Sequence, residues 1–111
     1  VSIRPIPKRL LIHSVEYREF IEDQRWGGSF ADPIPLTFVR VEPATSMNRD
    51  TSKEEVVARS VLYIDRVNTK PFLQPKEKDR IIFDGEEYEV HKVDVHYAFG
   101  PRIHHLEVEL V

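Results

Sequence analysis

The tetrapeptide His104-His105-Leu106-Glu107 is the densest group of metal-ligating and proton-transferring side chains in the sequence. In an extended strand, residues two apart share a face. His105 and Glu107 therefore project together while His104 joins Leu106 on the opposite side. Imidazole and carboxylate suit a borderline cation such as zinc, which takes three or four protein ligands. The tetrapeptide supplies two. His13, His91 or His96 would have to arrive from a neighbouring strand, and no HExxH helix or other fixed-spacing zinc signature is present. His105 and Glu107 accordingly read as a solvated pair and His104 as a hydrogen-bonded, partly buried histidine, and no metal or other cofactor is expected.

Other chemistries lack their residues. None of Ser2, Ser14, Ser29, Ser46, Ser52 and Ser60 sits in a GxSxG elbow, so a serine hydrolase is not indicated. Cysteine is absent, which excludes disulfides, thiolate zinc sites and cysteine nucleophiles. The four glycines form neither a P-loop nor a GxGxxG cradle. Glu86, Glu87 and Glu89 alternate with Tyr88 and Val90 after a turn, as solvent-facing strand charges do. No catalytic residue is assigned, and the protein reads as a non-enzyme. Sixteen basic and 19 acidic residues leave a net charge of −3, where a nucleic-acid binder usually carries a basic surplus. The alternative of a small barrel binding single-stranded nucleic acid would rest on Phe72, Tyr97, Phe99 and Arg102.

The elements that must position these residues are strands. At 111 residues and 41% hydrophobic composition the chain (1–111) is one globular domain, and no apolar run approaches the length that spans a bilayer. Eight prolines, mostly paired, mark boundaries between β-branched and aromatic segments. The segments are 10–20, 36–41, 56–64, 80–83, 87–97 and 103–111, with the third becoming a strand from Arg59 after a short helical turn. Leu106, Val108 and Leu110 alternate with His105, Glu107 and Glu109, the pattern of a half-buried strand. The apolar phase switches from Tyr88 and Val90 to Val93, Val95 and Tyr97, which predicts a β-bulge near His91-Lys92. Asp84-Gly85 predicts a tight hairpin. The fold class is thus all-β, a small antiparallel barrel or sandwich of about six strands with at most one short helical turn.

Three connections, 23–35, 42–55 and 66–79, are long for so small a domain, and connections of that length are usually functional or mobile. Trp26 stands in the polar run Gln24–Phe30, either capping the barrel or anchoring a partner. The polar segment 43–53 is suited to becoming ordered only on assembly. Trp26, Met47, Arg49, Lys53, Phe72 and Phe99 are the candidate protein-contact residues, with loops 42–55 and 66–79 carrying most of the contact. Edge strands offer a second route, by adding to a neighbour's sheet.

The order of several motifs carries a resemblance. Ile6-Pro7-Lys8-Arg9-Leu10-Leu11-Ile12-His13 opens the chain, followed by Trp26-Gly27 and Leu62-Tyr63-Ile64-Asp65. Then come Asp79–Val90, with the hairpin Asp84-Gly85, and Tyr97-Ala98-Phe99-Gly100 before the closing His104–Leu110. Together these resemble the minor capsid proteins encoded in the head–tail gene cluster of tailed phages and prophages of Gram-positive bacteria. The hairpin alone resembles the wider group of head-completion and head–tail joining proteins. The resemblance implies a non-catalytic virion protein at the neck, joining the portal of the head to the tail. Its partners would be the portal, neighbouring neck and tail proteins and copies of itself in a ring, with no membrane. Before assembly it would lie in the host cytoplasm.

Overall fold

The structure, a computed structural model, describes residues 4–23, 27–44 and 59–111. The helical turn expected before Arg59 and the candidates Trp26, Met47, Arg49 and Lys53 lie outside the described residues. After a 3₁₀ turn at Lys8–Leu10 come β1 (His13–Arg18), β2 (Phe20–Ile21), β3 (Ser29–Phe30), β4 (Ile34–Pro43) and β5 (Ser60–Asp65). They are followed by β6 (Arg80–Phe83), β7 (Glu86–Tyr97) and β8 (Ile103–Leu110). Six of these strands close into an antiparallel barrel in the order β1-β4-β5-β8-β7-β6, with β6 returning to β1. β2 and β3 form a small separate ribbon. All six expected strands are present, and the ribbon is an addition, with β2 just before the 23–35 connection and β3 within it.

Closure follows from the alternating pattern, since every strand has an apolar face that must be buried and the six faces meet inside. Leu36, Leu62, Ile64, Ile81, Leu106 and Leu110 are fully buried there. Each contributes roughly 1.5–3 kcal/mol by leaving water. Closure also corrects the expectation of free edge strands, because each barrel strand pairs on both sides over part of its length. The main remaining overhang is the far half of β7, which pairs with β6 only through Glu89.

Bulges keep the apolar faces inward. Val90 pairs with Leu110 and Lys92 with Glu109, which leaves His91 as the extra residue where the phase switch predicts it. A second bulge lies in β4, where Phe38 at φ 58° brings Leu36 and Val39 to the same core. Its ring points outward beneath the Lys8 ammonium, 5.0 Å from the centroid. β4 begins at Ile34, two residues earlier than expected. Pro35 is accommodated because β5 pairs with β4 only from Val39, so the missing donor breaks no ladder on that side. The Asp84-Gly85 hairpin forms as expected, with φ of 52° and 80°, both in the left-handed region such a turn requires.

The 66–79 connection is docked rather than loose. Asp65, fully buried, accepts hydrogen bonds from the amides of Ile6, Val67 and Asn68 at 2.9, 3.0 and 2.7 Å. Thr69 Oγ1 accepts from Asp65 N and donates to the Phe38 carbonyl, and Lys70 bridges Thr37. At its end Asp79 is buried and bound by Tyr17. Phe72 and Leu73 pack against the core. A long polar connection is held this way because buried polar groups must be matched, and here they are.

Candidate functional site

Surface chemistry gathers on the β7–β8 hairpin. Its tip runs from Tyr97 to Arg102, closed by the Ala98 amide donating to the Arg102 carbonyl at 2.9 Å, with Gly100 at φ 66°. Phe99 is 71% exposed and Tyr97 59%, the former among the most exposed large apolar side chains described. Two aromatics on a protruding turn have no packing reason to be there, and exposed apolar groups of this kind mark contact surfaces. Of the candidate contact residues, Phe99 is therefore displayed. Phe72 is not: it is half-buried against the core, with the Arg66 guanidinium 4.9 Å from its ring centroid. That also removes it from any stacking platform with Tyr97 and Phe99.

Towards the barrel, the outer face of the same hairpin carries the histidines. His96 pairs directly with His105, and their rings stack with centroids 4.7 Å apart and planes within 3°. His105 Nε2 lies 2.8 Å from Glu107 Oε2, and His96 Nε2 lies 3.2 Å from the same oxygen. The pairing jumps from His96–His105 to Tyr97–Ile103, so His104 is the extra residue on β8. This bulge corrects the expected parity of His104. In a regular strand its ring would face away from His105, whereas here the two Nδ1 atoms are 2.8 Å apart. His104 is partly buried and hydrogen-bonded as expected, its Nε2 lying 2.8 Å from the Arg4 carbonyl.

Sequence spacing alone did not single out His96 from the three remote histidines. Counting back around a turn centred on Gly100 would set it opposite His104, and only the bulge sets it opposite His105. Asp94 pairs across from Glu107 and is drawn to Lys92 at 3.3 Å. Tyr63 faces Glu107 from β5. Its phenol is pushed above the ordinary value, first by burial and then by the charge of Glu107. Glu86, Glu87 and Glu89 behave as surface charges: Arg80 pairs with Glu89 at 2.8 Å and Glu87 at 3.5 Å, and Tyr88 donates to Glu86. A shallow hollow of 280 Å³ between Ile6, Leu10, Leu11 and Tyr63 is flanked by Arg40 and Glu42, which pair with each other at 2.6 Å.

Residues 7–110 match the family described as minor capsid protein. The chain belongs to that family. One match thus covers nearly the whole of the given chain, from the 3₁₀ turn through the last barrel strand. Comparison with curated proteins and with solved structures finds no match. As a minor capsid protein it is a structural component of a virion, which agrees with a barrel whose polar interior groups are all hydrogen-bonded among the described residues.

Proposed function

We propose that this minor capsid protein works at the phage neck, as one subunit of a ring that joins the portal of the filled head to the tail. The observation that carries the reading is the family match over residues 7–110. The β7–β8 tip supplies the physical means. A ring needs heterologous contacts, in which one surface of a subunit meets a different surface of its neighbour. A projecting turn with Tyr97 and Phe99 at its end is an apolar knob of that kind, on a barrel rigid enough to hold it in place. Its role is binding and not catalysis, with the portal, adjoining neck and tail proteins and further copies of itself as partners.

The test is genetic and particle-based. Deleting the gene from a phage that carries it should give filled heads and unattached tails. Wild-type protein supplied in trans should restore joined particles, and a Tyr97→Ser/Phe99→Ser double variant should not. Joined, infectious particles from the deletion phage would refute the neck assignment. A salt-sensitive gel shift with single-stranded DNA, abolished by the same double variant, would favour nucleic-acid binding instead.

A further inference from the structure

The histidine cluster lines up more acceptors than two neutral imidazoles can serve. Arg4 O, His104, His105 and Glu107 form a line of three close contacts, each 2.8 Å long. Both ends of the line, a carbonyl and a carboxylate, only accept. Two neutral imidazoles between them carry two N–H groups, and three contacts need three. With His104 donating Nε2–H to the Arg4 carbonyl and His105 donating Nδ1–H to His104 Nδ1, His105 Nε2 would face the carboxylate as a lone pair, a contact that either a further proton or a cation closes.

The third ligand arrives at that same point. His96 Nε2 is 3.2 Å from Glu107 Oε2, and the ligand atoms of His96, His105 and Glu107 all lie within 4.8 Å of one another. Donors bound to one tetrahedral zinc at the usual bond lengths lie about 3.3 Å apart, so the three atoms are close to ligand spacing, and bringing them to one ion requires the stacked rings of His96 and His105 to rotate out of parallel. Glu107 is the anionic ligand of the three, and Asp94, opposite it on the ladder, is already paired with Lys92 at 3.3 Å. His104 supplies what a metal-bound imidazole normally has, a partner for the nitrogen that does not bind the metal.

We propose that His96, His105 and Glu107 form a binding site for a divalent transition metal of the zinc class, oriented by His104 and completed by water on the open side. The ion would tie β7 to β8 just below the Tyr97–Phe99 tip and stiffen the arm that carries it. The site stands whether or not the protein acts at the neck, because it is argued from the chemistry and spacing of ligands within one chain.

The experiment uses the full chain without an affinity tag, stripped with chelator and titrated with zinc chloride by calorimetry. One zinc per chain with a dissociation constant in the micromolar range or below is expected. His96→Ala, His105→Ala and Glu107→Gln should each weaken binding at least about tenfold, and His104→Phe should weaken it by about tenfold through loss of orientation. His91→Ala, at the other β7 bulge, should bind like the wild type. Zinc should raise the melting temperature of the wild type and His91→Ala but not of His105→Ala. Circular dichroism of the metal-free variants separates loss of ligand from loss of fold. Millimolar or weaker affinity in the wild type, or affinity unchanged in His96→Ala and His105→Ala, would overturn the site and leave the cluster closed by a proton alone.

Discussion

Asp79 and Glu107 each centre a hydrogen-bonded cluster, and the two clusters differ in whether their donors add up. Asp79 has no solvent exposure and receives Tyr17 Oη at 2.5 Å, the Phe20 and Lys76 amides at 2.8 and 2.9 Å, and Lys76 Nζ at 3.0 Å. Four donors meet one carboxylate, from β1, the start of β2 and the 66–79 connection. Glu107 is partly exposed and faces two imidazole nitrogens, of His96 and His105, whose neighbours also call on their protons. A buried cluster whose donors are complete is scaffold. A surface cluster that either a proton or a cation can close is a place for something to bind.

The largest expected effect follows from breaking the closed cluster. Asp79→Ala leaves a buried Tyr17 Oη and two part-buried amides without their acceptor and should cost about 3 kcal/mol in urea unfolding. Its acid limb should change as well. Burial alone would raise the Asp79 pKa, but the bonds from Tyr17, Phe20 and Lys76 outweigh it and hold the carboxyl below its ordinary value. A folded-state value below the unfolded one contributes stability that is complete above the unfolded pKa of about 3.9 and is lost as pH falls through the folded value. Between pH 5 and pH 3 the urea midpoint should therefore fall less in Asp79→Ala than in the wild type. Equal slopes would mean that Asp79 is not the carboxylate being titrated.

Tyr17→Phe is the milder cut, expected to cost about 1–2 kcal/mol by removing one donor while the others remain. Burial, then the hydrogen bond to Asp79, raises the Tyr17 phenol well above its ordinary value. The stability it contributes is complete below the unfolded value of about 10 and declines as pH rises beyond it. The wild type should accordingly lose stability above pH 10 more steeply than Tyr17→Phe.

How far the two clusters could be read beforehand depends on what each leaves in the sequence. The barrel strands were legible because apolar alternation is enforced by burial, and the β7 bulge because Tyr88 and Val90 on one phase meet Val93 and Val95 on the other. The β4 bulge was hidden by its own residue, since Phe38 completes an apparent alternation with Leu36 although its ring faces outward. The small ribbon of β2 and β3 left no periodic trace in two-residue strands. His105 and Glu107 were visible as a pair at spacing two. His96 was not distinguishable from His13 or His91, because its place depends on a one-residue slip at His104 that no local pattern announces. Asp79 stands in the mixed-charge run Lys76-Glu77-Lys78-Asp79-Arg80, where nothing local sets it apart, and only the folded barrel shows that it is the one taken inside.

The smallest expected effect sharpens the contrast most. In chelator-treated protein, Glu107→Gln replaces an oxygen that only accepts with an amide that also donates. The new N–H can point at His105 Nε2, supplying a third donor to the line of contacts between neutral imidazoles. Metal-free stability should thus stay within about 0.5 kcal/mol of the wild type or rise slightly, although an ion-pair partner has been deleted. Zinc would no longer stabilise this variant. A loss of more than about 1 kcal/mol without metal would show that Glu107 is already matched by a protonated imidazole, so that its cluster is closed in the same sense as that of Asp79. The two carboxylates would then differ only in depth.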